Sequence, residues 1–272
     1  MIISYINGEW KEPGSLCQAI GIFKENFHKT VSVVGGGGKT TVIRRLMDEC
    51  RNAEIPCAVS TTTHIQKCDA GYFLGKPSVE MFRQIMIKYG VVWMGRETTD
   101  GKLASFQEEY LKEISREPGV LLLEADGAKR LPVKTPAEHE PVICEKTGIV
   151  LNVYGMRAIG KKIKDVCFRI GEVEKILGKT GEDILRPEDI MTLAVSRSAG
   201  RKCVTDEMEY QVILNQADTE EEKQMAMQLA EDIEKKLSEK YISEKNTKDT
   251  EFSRQISKVH VTSDLIPLEE RW

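Results

Sequence analysis

The chain has 272 residues, room for one large domain or one and a half at about 150 residues each. Its net charge of −4, with 40% hydrophobic and 30% charged residues, gives no electrostatic reason to bind nucleic acid or an anionic membrane. No apolar run approaches the ~18 residues of a membrane span, and seven cysteines without a C-x-x-C pair or a signal-like start read as reduced thiols of a cytoplasmic protein, not as a disulfide framework or a zinc site.

In chain order, residues 1–13 read as a short edge strand or a loose lead-in. Ser15 reads as the cap of an amphipathic helix over 15–24, with Leu16, Ile20 and Phe23 on one side. A buried strand at 30–34 then runs straight into Gly35-Gly36-Gly37-Gly38-Lys39-Thr40-Thr41, followed by a helix over 40–50 that turns Val42, Ile43 and Leu46 inward. Glycines without Cβ let several N–H groups converge on one point, and the positive end of a helix dipole arrives at the same place, so the stretch predicts a phosphate cradle. Lys39 would reach the β/γ-phosphates and Thr40 would hold Mg²⁺. The spacing is the short G-x-x-G-K-T from Gly35 to Thr40, with Val33 where a full-length G-x-x-x-x-G-K-[ST] loop begins.

A second short strand at 56–60 ends in Thr61-Thr62-Thr63-His64. Ligands of open α/β sheets sit beyond the carboxyl ends of strands, which makes Thr62, Thr63 and His64 candidates for nucleotide or metal contact. Residues 78–89 have helical spacing (Val79, Phe82, Ile85, Met86), 91–94 form a strand, Asp100-Gly101 marks a turn, and 106–116 form a charged helix. Val120-Leu121-Leu122-Leu123-Glu124-Ala125-Asp126-Gly127 is a buried strand ending in acid, a Walker B pattern. Glu124 and Asp126 are two apart, so both project to one side of an extended chain as candidate Mg²⁺ carboxylates or orienters of an attacking water. The irregular segment beyond them offers Lys129, Arg130 and Lys134 to an anionic substrate and His139 or Glu140 for proton transfer.

Another strand is expected at 148–154, and Arg157, Lys161, Lys162 and Lys164 form either a solvated face or an anion site. Residues 165–205, with a polar turn at 178–183 and a helix over 186–197 opened by Pro187, read as a helical subdomain inserted on the main sheet. The strand at 211–215 ends in Asn215-Gln216-Ala217-Asp218, which resembles the N-K-x-D element of GTPases with glutamine in the lysine position. Asn215 and Asp218 are therefore candidate base-reading residues, with a plain strand-to-helix cap as the alternative. A long charged helix at 219–240, a polar loop at 245–253, a last strand at 258–262 and a tail at 264–272 complete the chain. Strands alternating with helices behind a glycine loop predict a single α/β domain over 1–272, a P-loop NTPase-like, mostly parallel sheet with helices on both faces.

Read together, Gly35–Thr41, Thr61-Thr62-Thr63-His64, the block from Leu123 to Pro136, His139-Glu140-Pro141, residues 155–160 and Asn215-Gln216-Ala217-Asp218 resemble the YqeC-type family, accessory proteins of the selenium-dependent molybdenum hydroxylase system. Two departures stand out: Gln216 replaces the lysine of the late motif, and Phe168-Arg169-Ile170-Gly171-Glu172 stands where the family has a His-Arg-Pro-Glu-like segment. The resemblance implies a P-loop nucleotide-binding protein that helps mature a molybdenum enzyme by handling its cofactor or selenium, with the hydroxylase or its cofactor-handling proteins as partners.

The leading expectation is Mg²⁺-dependent binding and hydrolysis of ATP or GTP, with Lys39, Glu124 and Asp126 as catalytic groups and Gly35 to Thr41 holding the nucleotide. A ligase or kinase acting on a small anionic acceptor, suggested by the short loop also found in Mur-type ligases, and a nucleotide-switched binding module are the alternatives.

Overall fold

The computed structural model describes residues 1–23, 28–245 and 257–263. Its centre is a ten-stranded sheet. In chain order the strands are β1 (Ile2–Ile6), β2 (Glu9–Lys11), β3 (His28–Gly35), β4 (Cys57–Thr61), β5 (Phe73–Leu74), β6 (Val91–Met94), β7 (Gly119–Glu124), β8 (Thr147–Gly155), β9 (Glu209–Asn215) and β10 (Ser257–Thr262). In space they run β2-β1-β10-β9-β8-β3-β7-β4-β6-β5, all pairs parallel except the two made by β1.

The helices are α1 (Leu16–Ile20), α2 (Lys39–Asn52), α3 (Val79–Tyr89), α4 (Glu108–Ile114), α5 (Ile163–Val166), α6 (Ile170–Leu177), α7 (Pro187–Val195) and α8 (Glu220–Lys245). Strand side chains alternate between faces, and the buried clusters follow that alternation. Val31 and Val33 of β3, Val120 and Leu122 of β7, and Leu151 and Val153 of β8 join α1 and α2 on one face. The intervening Val34, Val150, Val212 and Leu214 meet α6, α7 and α8 on the other face, where Leu121 and Leu123 also meet α3 and α4. The protein is therefore α/β, with a mostly parallel sheet flanked by helices, compatible with a P-loop NTPase-like fold. Val173, Ile190 and Leu193 from the 165–205 stretch belong to the same buried cluster as β8 and β9.

Local chemistry decides where elements stop. The first helix ends at Gly21 (φ 84°), short of the 15–24 expected, because a left-handed glycine closes the turn and its N–H caps Cys17 and Gln18. Phe23, expected on one side with Leu16 and Ile20, is 42% exposed while those two are fully buried. Ser78 caps α3 by accepting from Met81 N, and Gly90 ends it in the left-handed region. The last long helix reaches Lys245, and most of the expected polar loop and all of the expected tail lie outside the described residues. Among the described residues no helix is long and apolar enough to cross a membrane.

A polar chain ties the antiparallel edge to the parallel sheet. Gln211 Nε2 donates to Ile20 O (3.2 Å) and Glu209 Oε1 (2.9 Å), so its carbonyl oxygen faces His260 Nε2 at 2.7 Å. His260 Nε2 therefore carries the hydrogen, and Nδ1 accepts from Ser4 Oγ at 2.8 Å. Burial, with the Lys258 charge adding, holds the imidazole pKa down at about 3. The unfolded chain takes up this proton near pH 6.5, so the stability linked to His260 is complete above that pH and is lost as pH falls towards 3. Between pH 7 and 5 the folded state should lose about 2 kcal/mol through this group, and His260→Gln should remove that part of the slope in urea titrations. An equal loss in the variant would assign the slope elsewhere.

Candidate functional site

The carboxyl ends of five strands meet at one rim of the sheet: Gly35, Thr61, Glu124, Gly155 and Asn215. The adjacency of β3 and β7 brings the glycine loop beside the two acids. The loop is tightly fixed. Gly36 N donates to Val153 O (2.9 Å) and Gly37 N to Leu131 O (3.4 Å), while Gly155 N donates to Pro132 O (2.9 Å). A Cβ on Gly36 would stand 2.6 Å from Pro132 C, and one on Gly37 (φ 62°) 2.3 Å from Gly155 N. Both positions must be glycine because a neighbouring backbone occupies the space a side chain needs.

With Gly35 N donating to Asp126 Oδ2, three loop amides are used internally, and the donors left for a ligand are those at the start of α2. Gly38 is its N-cap, with no side-chain cap bond, so the first amides of a 14-residue helix face the rim together with its positive dipole end. Lys39 Nζ folds back to donate to Gly35 O at 2.7 Å and lies 3.1 Å from Asp126 Oδ1 and 3.9 Å from Glu124 Oε1. Thr40 Oγ1 donates to Glu124 Oε2 at 2.8 Å.

The two acids have different surroundings. Asp126 Oδ2 accepts from Gly35 N at 3.0 Å and meets Lys134 Nζ at 3.1 Å, so both oxygens of this 2%-exposed carboxylate are engaged. Among the described residues, the Glu124 carboxylate has only the Thr40 hydroxyl and the distant Lys39. Burial pushes its pKa up despite them, and Asp126 adds to the rise. A buried carboxylate beside a threonine hydroxyl, short of positive charge, is an oxygen donor set suited to a hard cation.

Lys134 faces inward. A two-residue parallel bridge, Val133–Lys134 with Cys167–Phe168, carries its side chain to Asp126 and to Glu140 Oε2 at 2.7 Å. Glu140 also receives Arg169 through Nε and Nη2, each at 3.1 Å. Burial opposes ionisation of Glu140, yet Lys134 and Arg169 hold its pKa down to about 2. Lys39, Asp126, Lys134, Glu140 and Arg169 form one alternating chain of charge running from the glycine loop to the start of α6.

The remaining candidates divide by position. A cavity of about 920 Å³ opens over the loop. Lys39, Thr40, Thr41, Glu124, Lys129, Arg130 and His64 all line it. Thr62 and Thr63 stand beside it: Thr62 N and Thr61 Oγ1 both donate to Glu124 O, at 3.1 and 2.7 Å, fixing the end of β7. His139 is exposed, away from the cavity wall. Asn215 is 1% exposed, donating from Nδ2 to Gly37 O (2.7 Å) and accepting at Oδ1 from Thr262 Oγ1 (2.7 Å), so it braces the loop. Asp218 pairs with Arg157 at 2.6 Å, and Lys162 and Lys164 pair with Glu182.

Several participants carry little sequence signal. Gly155 and the Leu131-Pro132 carbonyls clamp the glycine loop, and only a glycine at a strand end hints at such close approach. Lys102, from the strand Lys102–Ala104, and Gln216, just past the end of β9, also line the cavity.

Residues 31–171 match the family described as YqeC protein, a span running from β3 to the start of α6. Among curated proteins, the uncharacterized protein YqeC of Escherichia coli (strain K12) is 27% identical over 169 residues, covering 60% of this chain. The chain matches 66% of that relative's length.

Proposed function

Because the chain belongs to the YqeC family, we propose that it binds a nucleoside triphosphate with Mg²⁺ at the glycine loop and hydrolyses it, in support of the maturation of a selenium-dependent molybdenum hydroxylase or its cofactor. The maturation role rests on the family resemblance. The nucleotide reading rests on one observation above all: the Thr40 hydroxyl and the charge-deficient Glu124 carboxylate meet at 2.8 Å at the foot of a helix that a glycine loop opens.

In this reading the amides at the start of α2 take the phosphate oxygens, and Lys39 leaves Gly35 O and Asp126 to grip the β/γ-phosphates. Thr40 and Glu124 are the residues that would hold Mg²⁺, whose charge neutralises the phosphates when bound. Asp126 keeps the loop in shape through Gly35 N, and no ligand role is needed from it. Asn215 is engaged with Gly37 and Thr262 and Asp218 with Arg157, and we assign no preference between guanine and adenine.

Calorimetric titration with non-hydrolysable ATP and GTP analogues tests this. Both should bind with affinities within about tenfold of each other, and only when Mg²⁺ is present. Glu124→Gln should weaken Mg²⁺-supported binding by about tenfold or more, the scale of a charged contact. Equal affinity with and without Mg²⁺, or no response to Glu124→Gln, would remove Glu124 from the metal.

A further inference from the structure

The cavity is larger than the glycine loop requires. At about 920 Å³ it lies near the top of the ~300–1,000 Å³ range of small-molecule sites, and its lining extends beyond the glycine loop and α2 to residues 64–66, 100–102 and 127–131. One wall, beside the glycine loop, carries two basic residues. Lys129 and Arg130 follow one another on it, while Lys102, which enters from the hairpin of Arg96–Glu97 with Lys102–Ala104, is paired with Asp100 of the same lining at 3.5 Å and adds no free charge.

Lys129 (φ 48°) and Arg130 (φ 64°) are consecutive non-glycine residues in the left-handed region, a strained arrangement that surrounding contacts must impose. Those contacts are present. Leu131 N donates to Ala128 O, Leu131 O accepts from Gly37 N, and Pro132 O accepts from Gly155 N. The turn is pinned to the glycine loop and places Lys129 and Arg130 in the cavity lining. Among the described residues no carboxylate lies within ion-pair distance of either. Lys129 Nζ instead sits over the Phe168 ring at 5.2 Å, which fixes where its charge points without neutralising it.

We propose that this wall is a second binding site, for the phosphate group of a small molecule held beside the nucleotide. An arginine fork next to a lysine suits a phosphate dianion, which takes paired N–H groups and a point charge together. The site rests on the nucleotide reading for its neighbour, and makes the protein a two-ligand device whose nucleotide acts next to a phosphorylated partner molecule.

The experiment crosses two probes with two variants of the full chain. The probes are inorganic phosphate and the Mg²⁺-bound non-hydrolysable ATP analogue. The variants are Lys129→Asn/Arg130→Asn, since asparagine tolerates positive φ, and Lys39→Ala. Thermal unfolding checks that each is folded, and Lys129→Gln/Arg130→Gln replaces the first if it is not. Phosphate should bind wild type saturated with analogue, and should weaken about tenfold or more in the double variant while analogue affinity there stays close to wild type. In Lys39→Ala the pattern should invert, with the analogue weakened and phosphate retained. The site is overturned if phosphate only competes with the analogue, if the double variant binds phosphate as wild type does, or if millimolar phosphate does not bind. If the analogue binds none of the proteins while phosphate still responds to the double variant, the nucleotide reading falls and the phosphate site stands.

Discussion

Replacing Lys39 with alanine should weaken binding of the Mg²⁺-bound ATP analogue by about 10- to 150-fold, the ~1.5–3 kcal/mol of a charged hydrogen bond, and should remove turnover. Lys39 is 5% exposed at the opening of α2, with Gly35 O, Asp126 and Glu124 as its neighbours. Lys134, the other buried lysine beside Asp126, is held between Asp126 and Glu140 and does not take its place. Removing it also strips a cation from two buried acids, so the fold needs its own reading. Thermal unfolding with and without the analogue separates the two effects: wild type should gain stability with analogue concentration, and a folded Lys39→Ala should not over the same range. Unchanged affinity in a folded Lys39→Ala protein would place the nucleotide elsewhere or remove it from the account.

The glycine loop, the helix after it and the acid-ended strand are legible from sequence because each depends on local chemistry. Four glycines, a Lys-Thr pair and an apolar run ending in acid need no distant partner to be recognised. Their adjacency is a topological fact: β3 lies between β7 and β8, and only the parallel register of Glu124 with Val33 sets the acids at the loop. The two acids look equivalent in sequence, and what separates them is distant. Asp126 gains Gly35 N and Lys134, while Glu124 gains a threonine hydroxyl and the more distant Lys39. Lys134 reads as one of three cations on a loop, yet the short pairing with Cys167–Phe168 draws it inside and leaves Lys129 and Arg130 on the cavity wall. A two-residue bridge between segments more than thirty positions apart leaves no periodic trace. Asn215 illustrates the same limit, since its engagement by Gly37 and Thr262 depends on the loop and on β10.

Lys134→Met should cost about 3–5 kcal/mol of folding stability, the penalty for leaving buried charge uncompensated, although the substitution keeps the side chain's length and apolar character. Lys134 is 3% exposed and separates two carboxylates that would otherwise lose their common cation. Asp126 would retain Gly35 N and Lys39, and Glu140 would retain Arg169, so the damage should concentrate on the Glu140 side, where Lys134 makes its closer contact of 2.7 Å. Adding Glu140→Gln should then recover part of the loss, and a double-mutant cycle in urea measures the coupling. The pH dependence carries an independent sign. The folded pKa of Glu140 is held down to about 2 against an ordinary value near 4.5. The stabilisation it receives is therefore full above pH 4.5 and disappears as pH falls towards 2. Wild type and Lys134→Met should differ most near neutral pH and converge as the solution is acidified through that window. A gap that stays constant down to the acid limit would mean that Lys134 acts through packing against Phe168, with its charge incidental.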